Sequence, residues 1–154
     1  DDVAEVLRAT GVPAHRLALE ITEGVIMRDV DRALRLLEAL HRLGCRLHID
    51  DFGTGYSSLE ALHRLPIDAL KIDRSFVSRL GADRRSGEFV RTMVLMGHNL
   101  GIDVIAEGIE TEAQRDLLVE FGCPLGQGYY FSRPVPAPLA EAFALHPGRS
   151  VTGG

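Results

Sequence analysis

The chain has 154 residues, 45% of them apolar and 25% charged, the balance of a globular domain able to bury a real core. Its net charge of −5 argues against a general grip on nucleic-acid backbone, so no DNA or RNA duplex is expected as partner. An acidic protein that handles an anionic substrate needs cations at the site to do so.

The chain opens Asp1-Asp2 without a Met, as a fragment or a processed product does. No basic-then-apolar leader is present, and no apolar run reaches the ~18 residues of a membrane span. Cys45 and Cys123 match no metal-finger spacing, so two reduced thiols in a cytoplasmic domain are expected. Val3 to Ala9 reads as a helix. Four short apolar runs then alternate with longer amphipathic stretches: Leu17–Ile21, Arg46–Asp50, Asp68–Ile72 and Asp103–Glu107. Each is too short for a helix and reads as a buried parallel strand.

Between the first two runs, Ala33, Leu36, Leu37 and Leu40 recur at helical spacing, and Gly44 ends that helix. Phe89, Met93, Val94, Met96 and Leu100 line another, closed by Gly101. Thr111 with Gln114 starts a third, with Leu117, Leu118 and Phe121 inward and Gly122 at its end. A fifth strand is expected near Leu125 to Tyr129, and a last helix from Pro138 to Leu145. This α/β alternation implies a parallel sheet with helices outside, either doubly wound or a (βα)8 barrel. About five βα units fall short of eight, so a barrel would be incomplete here.

Every clear strand carries a charge at or near its C-terminal end: Glu20, Asp50 with Asp51, Lys71, and Glu107. Active sites of α/β barrels sit at that end of the sheet. A buried ion is costly unless paired or bound to metal. The four carboxylates therefore point to a divalent-cation site, Mg²⁺ or Mn²⁺ by their oxygen donors. The alternative is mutual pairing, chiefly of Lys71 with Asp50 or Glu107.

The segment Asp50-Asp51-Phe52-Gly53-Thr54-Gly55-Tyr56-Ser57-Ser58-Leu59 runs two adjacent acids into a glycine- and hydroxyl-rich loop. Ser57 or Ser58 is expected to cap the helix that follows. An ordinary strand-to-helix loop accounts for the glycines but not for the doubled acid. Adjacent carboxylates at a strand end suit two metal ions, one side chain bridging both.

This segment resembles the DDFGTGYSSL signature of the EAL-domain family. Leu19-Glu20-Ile21-Thr22-Glu23 resembles its LExTE motif, Leu70-Lys71-Ile72-Asp73 its LKID motif, and Ala106-Glu107-Gly108-Ile109-Glu110 its AEGVE motif. Gly126 to Pro134 resembles its QGYxFSRP segment, so five motifs fall in family order over residues 17–134. The resemblance implies an EAL-type (βα)8 TIM-like barrel that hydrolyses cyclic di-GMP to linear pGpG with two Mg²⁺ or Mn²⁺ ions. Glu20 and Asp50 resemble ligands of the first ion, with Asp50 bridging, and Asp51 a ligand of the second. Glu107 resembles the essential acid at that second metal. Lys71 resembles the residue contacting the attacking water, with Gln127 its partner. Glu23 resembles the carboxylate anchoring the 51–58 loop, and Asp73 and Glu110 resemble loop-ordering residues.

The unpaired strand edge of an incomplete barrel invites a second copy, so a homodimer is expected, and the parent is expected to carry an upstream sensor or GGDEF-type domain, membrane-anchored or not through other segments. A partial domain is expected over residues 1–146, with 147–154 a disordered tail. The second functional reading is an EAL-like receptor for cyclic di-GMP that has lost catalysis.

The family's E-x-L-x-R signature and an Asn ligand have no strand here, since sixteen residues precede the first one. Glu38-Ala39-Leu40-His41-Arg42 and Glu60-Ala61-Leu62-His63-Arg64 match that signature by letter. Both fall on amphipathic helices and both follow LExTE, so neither is the signature. His48 departs from the family's small or apolar residue; it shares a strand face with Asp50 and is expected as a neutral, hydrogen-bonded core histidine. Met93 and Met96 read as core packing.

Overall fold

The four apolar runs become four neighbouring strands, laid side by side in chain order. A computed structural model describes residues 2–55 and 59–145. The expected cap at Ser57 or Ser58 and the tail at 147–154 lie outside the described residues. In chain order the helices are α1 (Asp2–Thr10), α2 (Glu23–Arg28), α3 (Val30–Arg42), α4 (Leu59–Arg64), α5 (Arg74–Val77), α6 (Arg84–Leu100), α7 (Glu112–Glu120) and α8 (Ala137–Leu145). The strands are β1 (Ala18–Thr22), β2 (Arg46–Phe52), β3 (Ala69–Ile72), β4 (Asp103–Ala106) and β5 (Leu125–Gly126). A 3-10 turn at Ala14–Arg16 leads into β1.

The sheet order is β1-β2-β3-β4-β5 and every neighbouring pair is parallel. Among the described residues β1 and β5 are its edges, so the sheet is an open arc consistent with part of a (βα) barrel. Register sorts the side chains into two faces. Leu19, Leu47, Ile49, Leu70 and Val104 fall on one, since partners across parallel strands share a face. Buried Ile26, Leu37, Leu62, Val90, Val94 and Leu118 cover that face from the helices. Burying each such side chain stabilises the fold by ~1.5–3 kcal/mol before entropy is charged. The opposite face carries Glu20, His48, Asp50 and Lys71.

The helices begin and end for local reasons. Asp29 caps α3 and Asp83 caps α6 by accepting backbone N–H bonds. Thr111 and Gln114 close a capping box on α7. The inward stripe of α3 differs from the expected one: Leu37 is buried with Ala33, Leu34 and Leu40 beside it, while Leu36 is turned to solvent. Leu36 sits at the margin of a stripe centred on Leu37 and loses the contest to Leu34. Phe89 likewise stands 42% exposed at the edge of α6, where Val90, Met93 and Val94 take the core.

The fifth strand is shorter than expected, two residues in place of five. Beyond it the chain leaves the ladder to cross Ile109, whose N–H donates to Gln127 O (3.1 Å) and whose carbonyl accepts from Tyr130 N–H (2.9 Å). A Cβ at Gly128 would collide with the Ile109 backbone. Only glycine allows this crossing.

Candidate metal centre

Consecutive residues of a regular strand point to opposite faces, so Asp50 and Asp51 would ordinarily diverge. Here β2 is bulged. Ile49 pairs with Leu70 and Phe52 with Ile72, so the two aspartates stand opposite Lys71 alone. Asp51 takes a left-handed backbone with φ of +53°, which no other described non-glycine residue does. Such a conformation costs of order 1–3 kcal/mol and persists only where surroundings over-determine it. Its result is that Asp50, Asp51 and Glu107 each bring a carboxylate oxygen within 4.8 Å of the others.

Lys71 stands among these acids with 4% of its surface exposed. Its Nζ lies 2.7 Å from Glu20 Oε2, 2.7 Å from Glu107 Oε1 and 3.1 Å from Asp50 Oδ1. Burial disfavours the ammonium, yet its bonds to Glu107, Glu20 and Asp50 outweigh that and raise the pKa above the ordinary lysine value. The pairings expected as the alternative to metal thus exist beside the metal-like cluster. They do not exhaust it. One ammonium stands against the four carboxylates of Glu20, Asp50, Asp51 and Glu107, which leaves the acids in excess by three. An all-oxygen donor set with surplus charge fits a divalent cation. Glu20 stands outside the three-carboxylate group, tied to it through Lys71.

Glu107 follows β4, and its N–H donates to Ile72 O at 3.1 Å, which sets it beside Lys71. Gln127 Nε2 donates to Glu107 Oε1 at 2.7 Å, reached because Gln127 N–H donates to Ala106 O (2.8 Å) at the end of β5. Lysine and glutamine use the same oxygen, which leaves Oε2 without a hydrogen bond among the described residues.

Glu23, at the start of α2, is 1% exposed, and its Oε2 accepts from Gly53 N–H (2.9 Å) and Gly55 N–H (3.2 Å). Asp73 caps α5 by accepting from Ser75 N–H (3.0 Å). The Glu110 backbone N–H donates to Gln114 Oε1 (2.8 Å), and its residue borders a cavity of about 540 Å³. That cavity opens beside Glu107 and Gln127 and is lined also by Arg74, Tyr129 and Arg133. Sequence reasoning passed over Arg74 and Arg133; their signal was position, one just past the Lys71 strand and one in the segment after Gln127.

The two signature look-alikes are helical. Glu38 and Arg42 face solvent on α3 with 4.0 Å between charges, and Arg64 of α4 reaches Asp31 at 3.5 Å. His48 is half-buried on the face of Glu20 and Asp50, but its side chain makes no hydrogen bond among the described residues, unlike the bonded histidine expected.

Comparison with known proteins adds a family to this geometry. The family model of the EAL domain matches residues 1–134. The cyclic di-GMP phosphodiesterase NbdA of Pseudomonas aeruginosa is 48% identical over 143 residues, covering 93% of this chain and 18% of that protein. Among solved structures, the PaMucR phosphodiesterase in complex with c-di-GMP superposes with a TM-score of 0.87 at 43% identity, covering 90% of this chain and 56% of that one. The EAL domain of Mycobacterium smegmatis DcpA gives 0.86 at 39% identity, covering 92% and 63%. The chain thus spans about a fifth of its curated relatives' length and somewhat over half of these solved chains.

Proposed function

The chain belongs to the EAL-domain family, and from that premise we propose that it supplies the metal-holding side of a phosphodiesterase that cleaves cyclic di-GMP to linear pGpG. The observation that carries this reading is the convergence of Asp50, Asp51 and Glu107 around a lysine too short of charge to neutralise them. On this reading the open sheet is an arc of a (βα)8 barrel. The similarity to phosphodiesterase structures and the strand-end position of every acid support it.

Glu20 and Asp50 would hold one Mg²⁺ or Mn²⁺ ion, and Asp50, Asp51 and Glu107 a second, with Asp50 shared. Cations bound there supply Lewis acidity toward the phosphate and lower the pKa of water. The chain's own residues do the rest. Lys71 contacts the attacking water and offsets charge growing on the phosphate. Gln127 fixes the orientation of Glu107, and Glu23 holds the backbone that follows Asp51. The cavity beside Glu107, with Arg74 and Arg133 on its wall, receives the nucleotide.

The remaining ligands, the E-x-L-x-R glutamate and arginine and an Asn, come on this reading from strands beyond these 154 residues. The 154-residue piece by itself then binds metal weakly, turns over little, and pairs its open edges with another copy. The greater length of the curated relatives supports further domains in the parent protein, a sensor or GGDEF-type domain among them.

Turnover of cyclic di-GMP by the full-length protein, with linear product separated on a column, tests the proposal. Mg²⁺ or Mn²⁺ sustains it, and Ca²⁺, larger and more loosely coordinated, blocks it. Asp50→Ala is the most damaging single change. Normal turnover in that variant would sink the shared-ligand role.

A further inference from the structure

Gly53 follows the strained Asp51 by two residues and has a left-handed φ of +96°. Its missing side chain is what lets three others approach. A Cβ there would meet Phe76 Cε2 at 3.0 Å, Met93 Sδ at 3.2 Å and Phe89 Cε1 at 3.3 Å. Phe89 and Met93 lie four apart on α6 and so share a face. Phe76 comes from α5, directly after the strand that carries Lys71, and packs against Phe89 with ring centroids 4.8 Å apart and planes tilted by 43°. The backbone amide of the same glycine is taken by Glu23 Oε2 at 2.9 Å. Gly53 is therefore bounded twice, by a carboxylate at its N–H and by two rings and a thioether that close the space a Cβ would fill.

We propose that Phe76, Phe89 and Met93 are positioning residues for the metal centre, fixing Asp51 by clamping Gly53. A left-handed aspartate relaxes unless its surroundings over-determine it. Glu23 holds the Gly53 and Gly55 amides, and Thr54 donates to the Asp51 carbonyl from its N–H (3.3 Å) and its hydroxyl (2.8 Å). Bonds from one side leave the Gly53 peptide free to rock about them. The clamp limits this freedom because the peptide cannot swing toward Phe76, Phe89 or Met93 by the length of a Cα–Cβ bond without crowding them. Phe89 is the informative member. At 42% exposed it contributes little to the core, yet its ring edge stands 3.3 Å from where a Gly53 Cβ would sit. The inference rests on the reading of Asp50, Asp51 and Glu107 as metal ligands.

The test uses the full-length protein with Phe89→Ala, Phe89→Tyr and, as a control elsewhere on α6, Leu95→Ala. Mn²⁺ affinity is read from the free-ion paramagnetic resonance signal, loop order from amide hydrogen exchange at Gly53 and Gly55, and folding from thermal unfolding. Phe89→Ala is expected to weaken Mn²⁺ binding about tenfold, the scale seen when support behind a ligand is lost. Exchange at Gly53 and Gly55 should quicken, with thermal unfolding close to wild type. Phe89→Tyr keeps the ring edge and restores both, and Leu95→Ala changes neither. Mn²⁺ affinity within about twofold of wild type in Phe89→Ala overturns the proposal, whether or not exchange has quickened. A wild type that binds no Mn²⁺ overturns the metal reading instead. In that case exchange at Gly53 and Gly55 decides the clamp, and unchanged protection in Phe89→Ala refutes it.

Discussion

Lys71 Nζ and Glu107 Oε1 lie 2.7 Å apart and join the ends of the neighbouring strands β3 and β4 at the heart of the acidic cluster. The same ammonium reaches Glu20 and Asp50. Lys71→Met should therefore destabilise the fold by about 2–3 kcal/mol, less than the ~3–5 kcal/mol of a fully buried pair because Glu20 is half exposed. The carboxylates left behind would then welcome another cation. Thermal unfolding with and without Mn²⁺ should show a larger upward shift for Lys71→Met than for wild type. An equal or smaller shift would mean that Mn²⁺ does not enter this cluster.

Glu23→Ala removes the acceptor of two amides in a buried setting. Leaving such groups unsatisfied costs about 1–3 kcal/mol. Urea unfolding should show that loss, and Mn²⁺ affinity should fall with it because Asp51 borders the freed loop. Full stability in Glu23→Ala would show that water replaces the carboxylate at no cost.

Glu38→Gln and Glu60→Gln test whether the two E-x-L-x-R copies are only helix surface. Each should leave stability within ~0.5 kcal/mol, as for exposed helix charges. Turnover by the full-length protein should stay within about twofold for the same reason. A large fall in metal affinity in either variant would force a different strand register.

Cys123 is buried, and its thiol donates to Val104 O at 3.3 Å and Leu125 O at 3.4 Å. Burial pushes its pKa from the ordinary 9.0 up to about 11. The fold favours the neutral thiol, so this contribution is complete below pH 9 and is lost as pH rises toward 11. The stability difference between wild type and Cys123→Ala should narrow over that window. At pH 8 the folded chain presents about a hundredfold less Cys123 thiolate than the unfolded one, and iodoacetamide should label it correspondingly slowly. Rapid labelling of Cys123 in the folded chain would contradict its burial.

Much of the architecture was legible in short stretches of sequence. Leu47, Ile49, Leu70, Ile72 and Val104 mark strands because a buried parallel strand is a brief apolar run. Thr111 with Gln114, and Gly101, mark the ends of α7 and α6 because capping is decided by neighbours within a turn. The short helices α2 and α5 escaped notice. Six and four residues, one set opening Glu23-Gly24, are too few to show a helical period.

Side-chain identity therefore determined which residues could form a metal site: Glu20, Asp50, Asp51, Lys71 and Glu107 stand at or near strand ends in the sequence, and Gln127 lies in the expected fifth strand. Tertiary structure alone decided which of them meet. The bulge that turns Asp50 and Asp51 toward one another is a register shift between β2 and β3, and register depends on how whole strands pack. The separation of Glu20 from the three-carboxylate group, and the seat of Gly53 between Glu23 and the ring of Phe89, depend on contacts between segments far apart in the chain. Local sequence sets what a segment prefers to be, but the distance between two carboxylates is set by everything packed between them.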